Sequence, residues 1–297
     1  MSEGARVLLT GAGGQLGREL IQGKPEGIEL AAATRAELDL TDLDSLAPKL
    51  RRLRPDVILN TAAYTAVDRA ESDAEVAYKV NGQAVGRMAE CAAELGSRFV
   101  HLSTDFVFDG TASAPYRPED AANPASVYGR SKLAGESTAL EALPEATVVR
   151  TSWLYSARGR NFVTNMLRLM AERDSLQVVA DQVGSPTWAA PLAEALWRIV
   201  ARSDMAGVWH WCDGGRSSWY DFACAIQEEA LTRGLLARRA PIEPVPTAKF
   251  PTPARRPAFS ALDDSAIHEA LGSEPLPWRE ALGRMLDEMA RERSTDG

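Results

Sequence analysis

Residues 5–10 are a short apolar run, Ala5-Arg-Val-Leu-Leu-Thr10, that passes directly into Gly11-Ala-Gly-Gly14-Gln-Leu-Gly17-Arg-Glu-Leu. A strand, a glycine-rich turn and a helix start, in that order, constrain this chain more than any other feature. The combination is the context that a dinucleotide fingerprint requires. Gly11 permits the tight turn, Gly14 lets the backbone approach a pyrophosphate, and Gly17 lets the helix lie close to the sheet. The helix N-terminus then turns its free N–H groups and positive dipole end towards the anion. A loose glycine-rich loop is the bland alternative, and the position directly behind an N-terminal strand speaks against it.

The next segments extend this reading. Residues 28–34 read as a second strand ending in Thr34-Arg35, with no carboxylate. An acidic residue there would grip the adenosine ribose hydroxyls, whereas an arginine accommodates a 2′-phosphate. Arg35 therefore points to NADPH, with NADH also accepted. Asp39 and Leu40 are placed to touch the adenine, while Thr41 or Asp42 can cap the following helix. Residues 54–60 form another buried strand, followed by Thr61-Ala62-Ala63-Tyr64, small residues that suit a backbone passing close to a flat cofactor. Residues 71–96 are expected to be helical, with Val76, Val80, Val85, Met88 and Cys91 in the core and the polar Asn81 as the exception. Residues 98–106 supply a strand that carries Ser103 and Thr104 to the carboxyl edge of the sheet, where open α/β sheets bind ligands. Residues 145–153 add a strand that leaves through Trp153.

Strands alternating with helices predict an α/β fold, a Rossmann-like doubly wound parallel sheet over residues 1–154, with residues 189–212 returning to it. Beyond that the texture changes, with Asp181-Gln-Val-Gly-Ser-Pro186, Val208-Trp-His-Trp211 and the prolines of residues 241–257. Residues 155–188 and 213–297 are expected to form a smaller substrate-binding lobe that closes over the cofactor. Residues 278–291 read as one amphipathic helix.

Between the fourth strand and the strand at 145–153 lies Ser126-Val-Tyr128-Gly-Arg-Ser-Lys132. A helix from Tyr128 onward sets phenol and ammonium on one face, about 5–6 Å apart at Cβ. A free tyrosine keeps its proton to about pH 10. A fixed ammonium nearby favours the phenolate, so the phenol is expected to exchange protons nearer neutrality. Two surface residues one helical turn apart are the bland alternative.

Composition excludes several partner classes. A net charge of −8 offers no basic stripe to neutralise phosphates, which argues against nucleic acid. No apolar run approaches the ~18–20 residues needed to span a bilayer, and residues 1–6 lack signal-peptide architecture, so a cytoplasmic protein is expected. Cys91, Cys212 and Cys224 are scattered, without metal-ligand spacing. His101 sits inside a strand-like run and reads as a satisfied core histidine; no metal site is assigned.

The chain resembles the dTDP-4-dehydrorhamnose reductases, sugar-nucleotide reductases of the extended short-chain dehydrogenase/reductase superfamily. The resemblance runs through Thr10–Gly17, Glu37-Leu-Asp-Leu-Thr41, Asn60-Thr-Ala-Ala-Tyr-Thr-Ala-Val-Asp68-Arg-Ala-Glu71 and Ser103-Thr-Asp-Phe-Val-Phe-Asp-Gly110. It continues through Val127-Tyr-Gly-Arg-Ser-Lys132-Leu-Ala-Gly-Glu136, Arg150-Thr-Ser-Trp153, Asp181-Gln-Val-Gly-Ser-Pro-Thr187 and Arg255-Arg-Pro257. It implies that NADPH or NADH reduces the 4-keto group of dTDP-6-deoxy-L-lyxo-4-hexulose to give dTDP-L-rhamnose. Tyr128 would protonate the alkoxide, Lys132 would hold the nicotinamide ribose, and Thr104 would position the carbonyl. The matching cofactor contacts are Gly11, Gly13, Gly14, Gln15, Leu16 and Gly17, with Arg35, Asp39, Leu40, Ala62, Ala63 and Tyr64. Substrate contacts fall on Val67, Thr104, Asp105 and Trp153, the last also readable as a core tryptophan. Arg256 is a further candidate for the substrate diphosphate, against a surface ion pair.

Two departures stand out. Phe106 occupies a position where the family often has tyrosine, which removes one hydroxyl near the sugar. Some members bridge a homodimer through a metal held by glutamates; Glu19 and Glu288 match two of those positions, but the third is Ala190. Two other activities share these motifs, and one non-enzymatic protein shares the fold. Reductases that make 6-deoxy-talose or dihydrostreptose use the same set, and the methionine adenosyltransferase β subunit uses the fold as a non-enzymatic regulatory module. A dehydratase would carry a glutamate where Phe106 stands.

Overall fold

Along residues 6–10 alternate side chains enter opposite faces of a sheet, and both faces are apolar. Val7 and Leu9 join one core cluster and Leu8 another, as Val57 and Leu59 do opposite Ile58. Strands apolar on both sides must be covered on both sides, the condition that a doubly wound parallel sheet meets. The computed structural model describes residues 4–295 and contains such a sheet. The expectations that touch residues 1–3 and 296–297 lie outside the described residues.

The strands are β1 (Arg6–Thr10), β2 (Glu29–Ala33), β3 (Val57–Asn60), β4 (Arg98–Thr104), β5 (Thr147–Thr151) and β6 (Gly207–His210). They pair in parallel in the order β6-β5-β4-β3-β1-β2. The longer helices are α1 (Gln15–Gln22), α2 (Leu43–Leu53), α3 (Ala84–Leu95), α4 (Val127–Ala142), α5 (Phe162–Glu172), α6 (Ala189–Val200), α7 (Trp219–Thr232) and α8 (Trp278–Thr295). Helices α1 and α6 pack together over one face of the sheet, and α2, α3 and α4 cover the other. The chain reverses its direction of travel across the sheet between β1 and β3, so the segments leaving those strands part and open a crevice at the carboxyl edge.

Helices α5, α7 and α8 build a second core around Phe222, Met170 and Leu282, with Leu176–Val179 paired in parallel to Ile242–Val245. The C-terminal helix is amphipathic as read, burying Ala281, Leu282, Met285 and Leu286. No described helix is long and apolar enough to cross a membrane.

Residues 71–96 differ from the single helix expected of them. A short helix at Val67–Ala70 is followed by one at Ala74–Tyr78, a π-helical turn at Lys79–Gln83 and then α3. The π turn carries Asn81, which is fully buried. Its Oδ1 accepts the Tyr64 N–H at 2.8 Å, and its Nδ2 donates to the Tyr64 carbonyl at 3.1 Å and to Ser131 Oγ at 3.0 Å. One amide thus ties the segment after β3 to α4. The extra residue per turn also rotates Val76 out of the core; it is 40% exposed and borders the crevice, contrary to its expected place.

Candidate active site

The crevice is a cleft of about 1000 Å³. It brings together, along one wall or another, every cofactor, catalytic and substrate residue singled out above, from Gly11 to Arg256. At one end lies the glycine turn. Gly11 has φ +76°, and a Cβ there would stand 2.7 Å from the Ala62 backbone nitrogen. Gly14 is the N-cap of α1 and no side chain caps it, so the first N–H groups of the helix face the cleft unpaired. A Cβ on Gly13 would meet nothing nearer than 3.9 Å, which leaves an open cradle above the helix end. The residues therefore fit a dinucleotide pyrophosphate. Gln15 is steadied from the side by Asn161 Nδ2 at 2.8 Å and Ser156 Oγ at 3.2 Å.

Beyond β2, Arg35 is 79% exposed at the cleft edge, with its Nε 3.5 Å from Asp39 Oδ2. The Thr41 N–H and hydroxyl, more than Arg35, hold the Asp39 carboxyl below its usual range. Leu40 is buried behind it, and Ala62, Ala63 and Tyr64 follow β3 along the floor. Tyr64 donates its hydroxyl to Asp73 at 3.0 Å.

The catalytic candidates meet at the ends of β4 and α4. Thr104 closes β4, and its Oγ1 donates to Asp105 Oδ1 at 3.1 Å and accepts the Phe106 N–H at 3.2 Å. Ser126 caps α4 by accepting the Gly129 N–H at 3.1 Å. A Cβ on Gly129 would collide with the Phe106 carbonyl, so the helix start is pressed against the turn after β4. This pressing places Tyr128 edge-on to Phe106, ring centroids 5.5 Å apart. Tyr128 and Lys132 are both buried.

Their electrostatics depart from the expectation. Burial pushes the Tyr128 phenol up to about 12, hydrogen bonding to Thr104 opposes the rise and the Asp105 charge adds to it. Lys132 contributes nothing to that balance. Its Nζ turns away, donating to the Leu102 carbonyl at 2.6 Å and standing 3.2 Å from His101 Nε2. Burial also brings Lys132 down to about 8, against the charge of Glu136. Desolvation penalises both charged forms, and here it outweighs the attraction that helical spacing alone suggested.

Asp105 is buried with Oδ2 lacking any partner, and burial raises it to about 6, offset by hydrogen bonds from Ser260 and Thr104. Trp153 adopts φ 45° and stacks on Trp219 with ring centroids 3.4 Å apart, so it is half-buried and still walls the cleft. Arg256 lines the cleft and forms the ion pair set against its diphosphate role, with Asp68 at 2.7 Å. A second cavity of about 870 Å³ shares Gln182, Trp219 and Arg256 with the cleft and continues past Arg160, Arg168 and Phe250. Gln182, Trp219 and Ser260 escaped the sequence reading, since only tertiary packing brings them here. His101 is core, as its strand-like setting implies, and it also touches Lys132.

Glu19 on α1 and Glu288 on α8 do approach one another, with Arg158 between them. Arg158 Nη1 is 3.0 Å from Glu288 and 3.9 Å from Glu19, and Nη2 pairs with Glu292. Burial and then the Glu288 charge raise the Glu19 carboxyl, and Arg158 counteracts them. A divalent cation takes several hard oxygens and keeps waters. Arg158 already occupies the space between these carboxylates and offsets part of their charge, position 190 is alanine, and no group of three or more possible ligands gathers among the described residues, so the set does not fit a metal. EDTA treatment is expected to leave reaction rate and molecular mass unchanged; a loss of either that Mg²⁺ restores would reverse this conclusion.

Residues 5–291 match the family described as RmlD substrate binding domain. A dTDP-4-dehydrorhamnose reductase of Mycobacterium tuberculosis is 43% identical over 98% of this chain and 95% of its own length. One of Burkholderia thailandensis is 42% identical over 94% of this chain and 97% of its own. The crystal structure of dTDP-4-dehydrorhamnose reductase from Bacillus anthracis in complex with NADP superposes with a TM-score of 0.90 at 35% identity, covering 96% of this chain and 99% of that one. With its glycine turn, its Thr104, Tyr128 and Lys132 cluster and this full-length similarity, the chain belongs to the dTDP-4-dehydrorhamnose reductase family.

Proposed function

We propose that this chain reduces the 4-keto group of dTDP-6-deoxy-L-lyxo-4-hexulose to give dTDP-L-rhamnose, using NADPH in preference to NADH. The observation that carries the reading is the joining of two halves in one cleft: an uncapped helix end at the glycine turn, and Thr104, Tyr128 and Lys132 beyond it. When bound there, the reduced nicotinamide supplies the hydride. The chain supplies position and a proton. Thr104 can shift its hydroxyl hydrogen from Asp105 to the substrate carbonyl, and Lys132 Nζ keeps hydrogens free for the ribose hydroxyls. Tyr128, protonated at neutral pH and all the more so as burial raises it to about 12, gives its proton to the oxygen at C4 as charge develops there. Asp105, which borders the cleft, would accept a sugar hydroxyl, and Trp153 stacked on Trp219 forms a flat wall.

Residues 155–188 and 213–297 are assigned to the nucleotide half of the substrate. The second cavity, with Arg160 and Arg168 beside Phe250, supports that assignment. Arg256 would exchange Asp68 for the diphosphate, a charge-assisted contact of the kind arginine favours. Steady-state NADPH oxidation with the keto sugar nucleotide tests the activity. Absence of turnover, with NADPH still bound, would leave the chain a binding module.

Cofactor choice gives a second test. A 2′-phosphate carries roughly −1.5 to −2 charges by analogy with other phosphomonoesters. Arg35 can leave its contact with Asp39 at 3.5 Å to meet it, though at 79% exposure the gain is small. The low end of the range for hydrogen bonds to charged groups corresponds to about a tenfold preference for NADPH. Arg35→Ala should remove that preference in kcat/KM while NADH efficiency barely moves. A wild type that prefers NADH, or an equal fall for both cofactors, would contradict the assignment.

A further inference from the structure

Thr10, Asn60 and His101 are register partners on β1, β3 and β4, so their side chains form a row across the sheet. All three are buried, and the row ends on Lys132. Thr10 Oγ1 donates to Asn60 Oδ1 at 2.5 Å, Asn60 Nδ2 is 2.9 Å from His101 Nδ1, and His101 Nε2 is 3.2 Å from Lys132 Nζ.

The row has a direction. The Ala62 N–H also donates to Asn60 Oδ1, at 3.3 Å, so the amide oxygen faces β1 and Nδ2 can only donate to the ring. His101 Nδ1 therefore accepts. Burial, the larger cause, holds the imidazole well below its usual pKa, so the ring is neutral, and with Nδ1 accepting from Asn60 its one proton sits on Nε2, towards Lys132. Only an amine with a free lone pair can accept that N–H. We propose that His101 is a positioning residue: its Nε2–H, oriented by Asn60, favours the uncharged amine of Lys132 and holds it against the Leu102 carbonyl. Charging Lys132 forfeits the contact, so amine and ammonium lie close in free energy near neutral pH. The charged group that acts on Lys132 is Glu136 on its own helix, itself paired with Arg150 of β5, while Tyr128 and Asp105 border the same cleft. The Lys79–Gln83 turn, packed on α4, presents the uncharged Asn81.

The inference rests on the reductase reading, in which Lys132 holds the nicotinamide ribose hydroxyls and the ammonium offers them one more hydrogen than the amine does. Wild-type turnover should then fall as pH rises through about 8. His101→Gln can turn an amide oxygen to the ammonium. Asn60→Asp accepts from Nδ1–H and so leaves Nε2 as an acceptor. Both variants favour the charged form, and the fall should move to higher pH by about one unit. The pH at which NADPH binding weakens, followed by nicotinamide fluorescence, should move with it. A limb that stays put in both variants, or a loss equal at every pH, would reduce His101 to packing. If His101→Gln does not fold, Asn60→Asp decides. A wild type without turnover would instead overturn the reductase reading, and the binding limb would still decide the role of His101.

Discussion

Tyr128→Phe is expected to lower kcat by about 10²–10⁴, the usual worth of a positioned acid. The variant keeps the ring and its edge contact with Phe106, and it removes only the hydroxyl. Thr104 retains Asp105 and the Phe106 N–H as partners, so no buried hydroxyl is stranded. Folding and NADPH affinity should therefore survive, the latter because Lys132 and the glycine turn are untouched. The magnitude follows from the absence of a substitute. Lys132 Nζ is turned to Leu102 and His101, and Asp105, at about 6, is mostly ionised at neutral pH. Because the phenol lies at about 12, the proton donor stays loaded through the neutral range. A single-turnover measurement of hydride transfer, read as loss of NADPH absorbance, separates chemistry from product release. Near-wild-type hydride transfer in the variant would remove Tyr128 from the mechanism.

What the sequence disclosed about this site follows from the range of the physics involved. The glycine turn and the Tyr128–Lys132 spacing are local, set by a few consecutive residues and the period of one helix. Apolar strands alternating with helices likewise declare a parallel sheet, and with it the edge where ligands gather. Val76 was misplaced because the 3.6 period presumes α-helix, and a π turn that adds a residue rotates the face. The phenol was misjudged because sequence lists neighbours but not burial, and burial dominates both Tyr128 and Lys132. His101 looked like core since it lies in an apolar strand; only the pairing of β3 with β4 sets it beside Asn60. Ser260 and Trp219 reach the cleft from more than a hundred residues beyond Thr104, without any local sign.

Glu136 closes the Tyr128-to-Glu136 block, and its role emerges only with β5. Its carboxylate takes Arg150 Nε at 3.0 and 3.1 Å and Arg150 Nη2 at 2.7 Å, and it also accepts the Ser103 hydroxyl. Both side chains are almost wholly buried, 3% and 5% exposed. Arg150 lies 5.1 Å over the Phe108 ring, and burial with the Arg150 charge drives the neighbouring His210 down to about 3, so His210 cannot share the positive charge. Glu136→Ala therefore strands a buried guanidinium. Removing one partner of such a pair costs about 3–5 kcal/mol. At roughly 2 °C per kcal/mol for a chain of this size, Tm should fall by roughly 6–10 °C. The double variant Glu136→Leu, Arg150→Met replaces both charges with apolar groups of similar volume and should recover most of that loss. Catalysis should respond separately, since Glu136 is the charge that raises Lys132. Without it, the fall of turnover at alkaline pH should begin lower. Thermal denaturation of the single and double variants, with the pH profile of the single, tests both statements. A single variant within about 2 °C of wild type, or a double variant less stable than the single, would show that the pair does not hold α4 to β5 in this way.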